Sequence, residues 1–288
     1  MSMEISASSR LANRILRRLR QFDRLNRSVE ATVGGRPVAI PVSAGLMAEL
    51  TEPWMLALLR QLMTMAPGAF IDVGVNLGQT LIKAKTIDPA RCYVGFEPNP
   101  VCVHYVEELV AANGWADCRV VPAGLGLTSG IVTLELYHGR GGDSAASIVE
   151  GFRPGEAISF RKTVAILGAE DLPDDLLAAP LGLIKIDVEG AEADVIDALA
   201  PVIARDRPLV SMEILPCYDA ARTDRIARQA RIEARFAGLD YRILRVLHEG
   251  RGGSYELMPI DAIGIHGDLA LCEYVICPAE RVAECLPR

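Results

Sequence analysis

Carboxylates stand where apolar runs end in this sequence, and their positions indicate the chemistry. Asp72, Glu97 and Asp187 each lie at or near the end of a separate apolar run. In a parallel sheet the carboxyl ends of the strands share one edge, where ligands bind. A carboxylate there can take a proton, hold a cation or bind hydroxyl groups. The sequence therefore predicts a site built on acidic groups at this edge.

The turn after the first of these runs is rich in glycine. The run 69–73 leads into Gly74, Asn76 and Gly78, and then into residues that suit a helix start. Strand, glycine-rich turn and helix is the nucleotide-binding opening of a doubly wound α/β fold, because glycine lets the backbone approach a ligand closely. We therefore expect Gly74, Asn76 and Gly78 to bind a cofactor. A tight turn without a ligand is the alternative.

The spacing of the glycines decides between cofactors. A dinucleotide site needs Gly-x-Gly-x-x-Gly around a pyrophosphate, whereas this turn offers Gly74-x-x-x-Gly78 with Asp72 just before it. That carboxylate would repel phosphate and suits a cationic ligand, which favours S-adenosylmethionine, a nucleoside with a sulfonium. Glu97 stands where a ribose diol is bound. A nicotinamide-dependent oxidoreductase is disfavoured, since it would also need a Tyr-x-x-x-Lys pair.

Three sequence blocks carry a family resemblance. FIDVGVNLG at 70–78, GFEPNP at 95–100 and IKIDVEGAE at 184–192 together resemble the FkbM family of S-adenosylmethionine-dependent methyltransferases. The resemblance implies a Rossmann-like class I methyltransferase fold and methyl transfer to a hydroxyl oxygen of a sugar, glycan or polyketide. N-methylation and a non-catalytic S-adenosylmethionine-binding or scaffold protein are the alternatives. The Asn/Asp-Pro-Pro-Tyr signature for planar amines is absent, which favours oxygen.

The resemblance also implies further cofactor contacts. Asn99 would lie beside the ribose, although it is equally suited to cap the helix that follows. Gly124 and Leu125 would face the adenine, and a simple turn is the alternative for them. Asp187 would lie near the transferable methyl group, so it counts as both a cofactor-binding and a catalytic residue.

Four residues are candidates for the acceptor side. Glu52 precedes the first core strand and would line the mouth of the site, unless it is a solvated surface carboxylate. Ser144 and Ser147 lie in a long polar loop that is a candidate acceptor lid. Glu213 falls inside an apolar run, where an unpaired carboxylate is costly, so it should find a partner or face the site.

Methyl transfer to an alcohol needs a base, because a hydroxyl is a weak nucleophile. Asp187 and Glu189 are the first candidates for this base, and His138 is the next because its ordinary pKa is near 6.5. A lone loop histidine that is merely solvated is the alternative. Magnesium held by Asp187, Glu189 and Glu213 is a second route, which would lower the pKa of the hydroxyl.

Alternating strands and helices must position these groups. Such alternation predicts a mostly parallel twisted sheet with helices on both faces and an antiparallel C-terminal edge. The predicted strands are 69–73, 92–96, 118–122, 131–137, 161–167, 181–186, 209–215, 240–247 and 270–277, and the predicted helices are 44–65, 78–86, 101–113, 170–178, 191–199 and 218–237.

The first residues differ from the rest of the chain. Residues 4–30 read as a basic amphipathic helix, and 31–42 suit a hairpin that turns at Gly34 and Gly35. We expect an N-terminal extension over 1–42 and one methyltransferase domain over 43–288. A membrane-surface contact by residues 4–30 is the less favoured interpretation, because Phe22 is the only bulky aromatic residue that could anchor the helix in lipid.

Bulk composition restricts the partners and the compartment. The net charge of −7 argues against nucleic-acid binding, and no apolar run reaches the length of a membrane-spanning helix. The seven cysteines form no Cys-x-x-Cys pair, which indicates free thiols in a reducing cytoplasm rather than a zinc site. The expected partner is a small-molecule or glycan acceptor, and the sequence leaves the oligomeric state open.

Overall fold

Strands and helices alternate through most of this computed structural model, which describes residues 4–5, 27–139, 141–250 and 252–286. The strands in these ranges are β1 (Glu4–Ile5), β2 (Arg27–Val33), β3 (Arg36–Val42), β4 (Ala69–Val73), β5 (Tyr93–Phe96), β6 (Cys118–Val121), β7 (Gly124–Gly126), β8 (Gly130–Leu136), β9 (Phe160–Gly168), β10 (Leu181–Ile186), β11 (Leu209–Glu213), β12 (Tyr241–His248), β13 (Tyr255–Ile260) and β14 (Glu273–Pro278).

The helices in the same ranges precede, connect or follow the strands of the main sheet. They are α1 (Pro53–Met65), α2 (Gln79–Ile87), α3 (Pro100–Asn113), α4 (Glu192–Asp206), α5 (Thr223–Gly238) and α6 (Val282–Cys285), with 3-10 turns at Ala169–Asp171, Leu269–Leu271 and Ala279–Arg281.

The main sheet has eight strands in the order β13-β12-β14-β11-β10-β4-β5-β6. Strands β11, β10, β4, β5 and β6 run parallel. Strands β14, β12 and β13 complete the other edge through antiparallel pairs. The predicted Rossmann-like architecture, mostly parallel with an antiparallel C-terminal edge, is confirmed. Two smaller sheets, β1-β2-β3 and β7-β9-β8, flank it.

Alternate residues of the central strands pack into two separate hydrophobic cores. Phe70 and Leu183 pack on the face covered by α1, α2 and α3. Ile71 and Ile184 pack on the face covered by α4 and α5. Because both faces are covered, every residue of β4 is buried, as expected for a parallel strand between two helical layers. Burial on both faces is therefore the reason why the central strands read as apolar runs in the sequence.

The strand register places the ionisable side chains in one row. Lys185 of β10 pairs with Asp72 of β4 and with Ser211 of β11. Glu213, at the end of β11, pairs with Glu273, at the start of β14. Since side chains alternate between faces along a strand, these groups and Asp187, two residues after Lys185, share the α1/α2 face at the carboxyl edge.

Two predicted helices were wrong in extent, and one strand of the main sheet was missed. The predicted helix 44–65 begins only at Pro53, because proline has no N–H to donate and fits the first helical turn. The predicted helix 170–178 is a single turn at Ala169–Asp171, closed before Pro173. The strand Tyr255–Ile260 was not predicted, and it forms the outermost strand of the C-terminal edge.

The N-terminal prediction is tested only in part. Most of the predicted basic helix lies outside the described residues, but residues 27–30 belong to strand β2, so a helix that extends to residue 30 was wrong. The hairpin and its turn at Gly34 and Gly35 are confirmed. The division of the chain at residue 43 stays a prediction. None of the helices in the described ranges has both the length and the apolar character to span a bilayer.

Candidate active site

A cavity of about 380 Å³ opens at the carboxyl ends of the central strands, which is the position and size expected of a ligand site in an α/β sheet. It spans the strand ends from β5 across β4, β10 and β11 to β14. Most of the residues predicted from the sequence line it, and these are Glu52, Gly74, Asn76, Glu97, Asn99, Gly124, Leu125, Ser144, Asp187, Glu189 and Glu213.

Asp72 lies beneath the cavity rather than in its wall. Its carboxylate is fully buried, and its Oδ2 accepts a hydrogen bond of 2.5 Å from the Tyr93 hydroxyl. Its Oδ1 has no hydrogen-bond partner among the residues that the structure describes. Burial raises the pKa of Asp72 to about 6, although the nearby Lys185 charge opposes that rise. A buried carboxylate oxygen without a partner is costly, so a positively charged ligand group above it would be stabilising.

Gly74 closes the gap between β4 and the residues that follow β10. Its φ is +90°, and a Cβ atom there would lie 1.8 Å from the Asp187 carbonyl oxygen. Only glycine fits this contact, which brings the glycine-rich turn after β4 against the turn that carries Asp187. Gly78 also has a positive φ, but it packs against Leu109 and does not line the cavity.

Gly74→Ala is expected to destabilise the fold by at least about 3 kcal/mol, because it adds a backbone clash to an unfavourable φ. Gly114→Ala is the matched control, since Gly114 has φ +60° but no heavy atom within 4 Å of its added Cβ. The control should lose only about 1 kcal/mol. Urea unfolding of both variants measures the difference, and equal losses would contradict the close-approach role of Gly74.

Glu97 organises the turns after β4 and β5. Its Oε2 accepts a hydrogen bond of 2.8 Å from the Asn76 backbone N–H, and its Oε1 accepts one of 2.8 Å from the Asn99 N–H. Burial raises the pKa of Glu97 to about 7, although both backbone donors act in the opposite direction. The carboxylate retains lone pairs for a ligand, since each oxygen can accept more than one hydrogen bond.

Asn99 caps a helix, the second of the two roles left open by the sequence. Its Oδ1 accepts from the Val101 N–H at the start of α3 and from Lys162 Nζ at 2.6 Å. Its Nδ2 donates to the Gly141 carbonyl. These three bonds fix the amide, so Asn99 shapes the cavity wall and the loop above it.

Gly124 and Leu125 form a short apolar wall on the β5 side. They belong to strand β7, which pairs with β9 through Ile166 and Leu167. A Cβ on Gly124 would lie 2.5 Å from Ile166 Cδ1. The sequence suggested a turn or an adenine contact here. The structure shows a strand whose glycine allows close packing, and whose surface faces the cavity.

Asp187 stands at the centre of the cavity and is paired with a buried lysine. Lys185 Nζ donates to Asp187 Oδ2 at 2.9 Å. Burial alone would raise the pKa of Asp187, but the Lys185 charge and a hydrogen bond from Glu213 lower it overall. Burial and the Asp187 charge raise the pKa of Glu213 well above its usual range. Asp187 therefore ionises at a lower pH than Glu213, which keeps its proton longer as the pH rises.

Glu189 lies on the turn after Asp187 and is tied to the polar loop. Arg153 Nη2 donates to its Oε2 at 2.8 Å. Burial and the Asp187 charge raise the pKa of Glu189 to about 8, against the influence of Arg153. One carboxylate oxygen from each of Asp187, Glu189 and Glu213 lies within 4.8 Å of the others. This geometry could hold a divalent cation, but Lys185 and Arg153 already compensate two of these charges.

The acceptor side contains two charged residues that sequence reasoning missed. Lys83 of α2 is 2% exposed and pairs with Glu52 at 3.1 Å, while the Glu52 side chain stays 44% exposed at the mouth of the cavity. Glu273 lines the cavity beside Glu213. Burial raises the pKa of Glu273 to about 8, and the charges of Glu52 and Asp187 add to the shift. Two signals in the sequence could have identified these residues. They are a lysine within an apolar helix and a glutamate at the first position of an apolar strand.

Glu273→Gln is expected to flatten the fall of stability with pH. The folded protein keeps the Glu273 proton up to about pH 8, whereas the unfolded chain releases it near 4.5. The stabilisation of the folded protein by this bound proton is therefore complete below pH 4.5 and lost as pH rises through about 8. Between about pH 6 and about pH 9, the melting temperature of the wild type should fall more than that of the variant.

Glu280→Gln is the matched control for that experiment. Its pairing with Arg207 lowers the pKa of Glu280 to about 2, so its contribution is lost only as pH falls from 4.5 towards 2. Above about pH 6 this variant should show the slope of the wild type. A wild-type slope in Glu273→Gln as well would contradict a protonated Glu273.

Besides Asp72 and Gly78, two more of the predicted residues lie outside the cavity lining. His138 is exposed, with Nδ1 3.1 Å from Asp143 Oδ1, so the structure gives no support to its role as the base. Ser147 is fully buried, and its hydroxyl donates to the Glu189 carbonyl oxygen at 2.6 Å. It contacts the turn that carries Asp187 and Glu189 and does not line the cavity.

The chain matches the family described as the methyltransferase FkbM domain over residues 72–243. The matched range begins at Asp72 and includes Glu97, Asp187, Glu189 and Glu213. It therefore covers the strand ends on which the cavity is built. No curated protein matches the sequence significantly.

Solved methyltransferase structures give partial matches. A methyltransferase FkbM from Methylobacillus flagellatus KT has 14% identity and a TM-score of 0.45, and the match covers 73% of this chain and 43% of that chain. A putative caffeoyl-CoA O-methyltransferase from Staphylococcus aureus has 11% identity and a TM-score of 0.40, covering 95% and 93%. TYW2 from M. jannaschii, solved in complex with AdoMet, has 9% identity and a TM-score of 0.39, covering 88% of each chain.

Proposed function

This chain belongs to the FkbM methyltransferase family, and from that premise we propose that it transfers a methyl group from S-adenosylmethionine to a hydroxyl oxygen. The acceptor is a sugar, glycan or polyketide-type natural product. The observation that carries the proposal is Asp187, which is ionised in the middle of the cavity, with Glu97 towards one end and Glu213 and Glu273 towards the other.

The β4–β5 half of the cavity suits the cofactor. The unpaired Oδ1 of Asp72 and the carboxylate of Glu97 suit a ligand with a positive charge and a ribose diol, and neither suits a pyrophosphate. Glu97 would accept from the ribose hydroxyls, and Gly124 with Leu125 would cover the adenine. S-adenosylmethionine supplies an activated methyl group when it is bound in this half.

The β10–β14 half then holds the acceptor. Asp187 would accept the hydroxyl proton as the new bond forms, because Lys185 keeps it ionised in an acidic surrounding. Glu213 and Glu52 are positioned to orient neighbouring hydroxyl groups by hydrogen bonds. The protein thus supplies orientation and a base.

Magnesium is a second route, favoured by the spacing of three carboxylate oxygens within 4.8 Å. Asp187, Glu189 and Glu213 would hold the ion, and it would lower the pKa of the acceptor hydroxyl. To bind there it must displace the contacts from Lys185 and Arg153. N-methylation and a non-catalytic scaffold are the remaining alternatives.

An acceptor screen with methyl-labelled S-adenosylmethionine tests the proposal. Panels of sugars, glycans, macrolide alcohols and matched amines should be assayed with added magnesium and, separately, with EDTA. We expect label in a hydroxyl of one panel, retained in EDTA. Label only in amines would favour N-methylation, and loss of transfer in EDTA would favour the metal route. Tight cofactor binding with no transfer to any panel would favour the scaffold.

A further inference from the structure

One stretch of polar loop touches both halves of the active site. We call residues 141–153 the bridging segment. It follows β8 and contains Gly141, Asp143, Ser147, Phe152 and Arg153. Ser147 is anchored on β8, because its backbone N–H and C=O both pair with Glu135. A fixed anchor in the middle of the segment lets its two ends hold different turns.

The C-terminal end of the bridging segment holds the catalytic turn. Glu189 has φ +54°, a left-handed conformation that is unfavourable for a residue with a Cβ and that persists only where neighbours enforce it. Ser147 Oγ donates to the Glu189 carbonyl at 2.6 Å, and Arg153 donates to its carboxylate at 2.8 Å. Phe152 packs against Gly190, where a Cβ would lie 2.7 Å from its ring.

The N-terminal end holds the cofactor turns. Asn76 Nδ2 donates to the Asp143 carbonyl at 3.2 Å, and Asn99 Nδ2 donates to the Gly141 carbonyl at 3.0 Å. Asn76 also has a left-handed backbone, with φ +50°. Its backbone N–H is held by Glu97. Both left-handed non-glycine residues of the cavity wall therefore contact the bridging segment.

Helix α5 supports the segment from behind. Arg225 is 3% exposed, and its Nη2 donates to the Phe152 carbonyl at 2.8 Å. Its guanidinium lies 4.6 Å from the centre of the Phe152 ring, and that of Arg228 lies 5.0 Å from it. These contacts hold Phe152 against Gly190, so a movement of the bridging segment would also move Glu189 and Gly190.

We propose that the bridging segment couples cofactor binding to the geometry of the catalytic turn, with Ser147 and Arg153 as the positioning residues for Glu189. The inference rests on the proposed function, since it assumes that the cofactor binds beside Asn76 and Glu97. Cofactor contact with the Asn76 turn stiffens the segment through Asp143. The segment then holds the catalytic turn through Ser147 and Arg153.

Hydrogen exchange of the full chain with and without S-adenosylhomocysteine tests the coupling. In the wild type the ligand should slow exchange both at residues 74–78 and at residues 188–191. In Ser147→Ala the slowing at 74–78 should persist, with the dissociation constant within about threefold, because Ser147 does not line the cofactor half. The slowing at 188–191 should fall about fivefold, as expected for the loss of one buried hydrogen bond.

Two further variants make the result decisive. Glu150→Ala removes a carboxylate from the same segment, at an exposed position outside the cavity lining, and should keep the protection of the wild type at 188–191. Arg153→Gln should lose that protection, and it replaces Ser147→Ala if the latter does not fold. Unchanged protection at 188–191 in the folded variants would overturn the coupling, as would loss of ligand binding in Ser147→Ala. A wild type that does not bind the ligand would overturn the proposed function as well.

Discussion

Asp187→Asn should lower kcat for methyl transfer by about 10²- to 10⁴-fold, the usual contribution of a positioned general base. Asparagine has the shape of aspartate, and its oxygen can still accept from Lys185, which donates to Asp187 at 2.9 Å in the wild type. It cannot take the acceptor proton. The affinity for S-adenosylmethionine should stay within about threefold, because the proposed ribose and adenine contacts are on the β5 side of the cavity.

Asp197→Asn is the matched control for this variant. Asp197 lies on α4 and pairs with Arg231 and Arg235 at the surface, and it does not line the cavity. Its kcat should equal that of the wild type. Single-turnover measurements with saturating acceptor separate the chemical step from product release. Full turnover by Asp187→Asn would remove Asp187 from the mechanism and leave Glu189 as the candidate base.

Glu97→Ala should raise the dissociation constant of S-adenosylmethionine at least about 100-fold. The change removes the ribose contact and also leaves the Asn76 and Asn99 backbone N–H groups without their acceptor. Hydrogen bonds to a charged group contribute roughly 1.5–3 kcal/mol each, so the loss of one or two accounts for that factor. Glu97→Gln should fall between the alanine variant and the wild type, because the amide offers a single oxygen.

Glu107→Ala on α3 serves as the control for Glu97→Ala. Glu107 is exposed and lies outside the cavity lining, so its replacement should not change the affinity. Calorimetric titration measures all four proteins under the same conditions. Wild-type affinity in Glu97→Ala would contradict the placement of the cofactor in the β4–β5 half.

The central strands could be predicted because their pattern has a single physical cause. Strands 69–73 and 181–186 are found with the predicted bounds, since both faces are covered and each reads as a continuous apolar run. Their carboxyl ends must then share one edge, which brings Asp72 and Asp187 to neighbouring strands. The same argument located Glu97, whereas Glu213 was singled out because an unpaired carboxylate inside an apolar run is costly.

The features that were missed depend on contacts between residues far apart in the chain. The Arg153–Glu189 ion pair and the Lys83–Glu52 ion pair join residues 36 and 31 positions apart, and nothing local to either residue marks its partner. Strand Tyr255–Ile260 is half exposed at the sheet edge and contains Pro259, which weakens the strand pattern. The cap formed by Asn99 follows from its hydrogen bond to the Val101 N–H, and its contact with the ribose stays a prediction.

Calorimetric titration of the wild-type protein with S-adenosylmethionine, and separately with NADH, tests the central claim most directly. The carboxylates of Asp72 and Glu97 at the strand ends predict micromolar binding of S-adenosylmethionine and no binding of NADH. Binding of NADH alone, or of neither compound, would contradict a methyl donor site at this edge of the sheet.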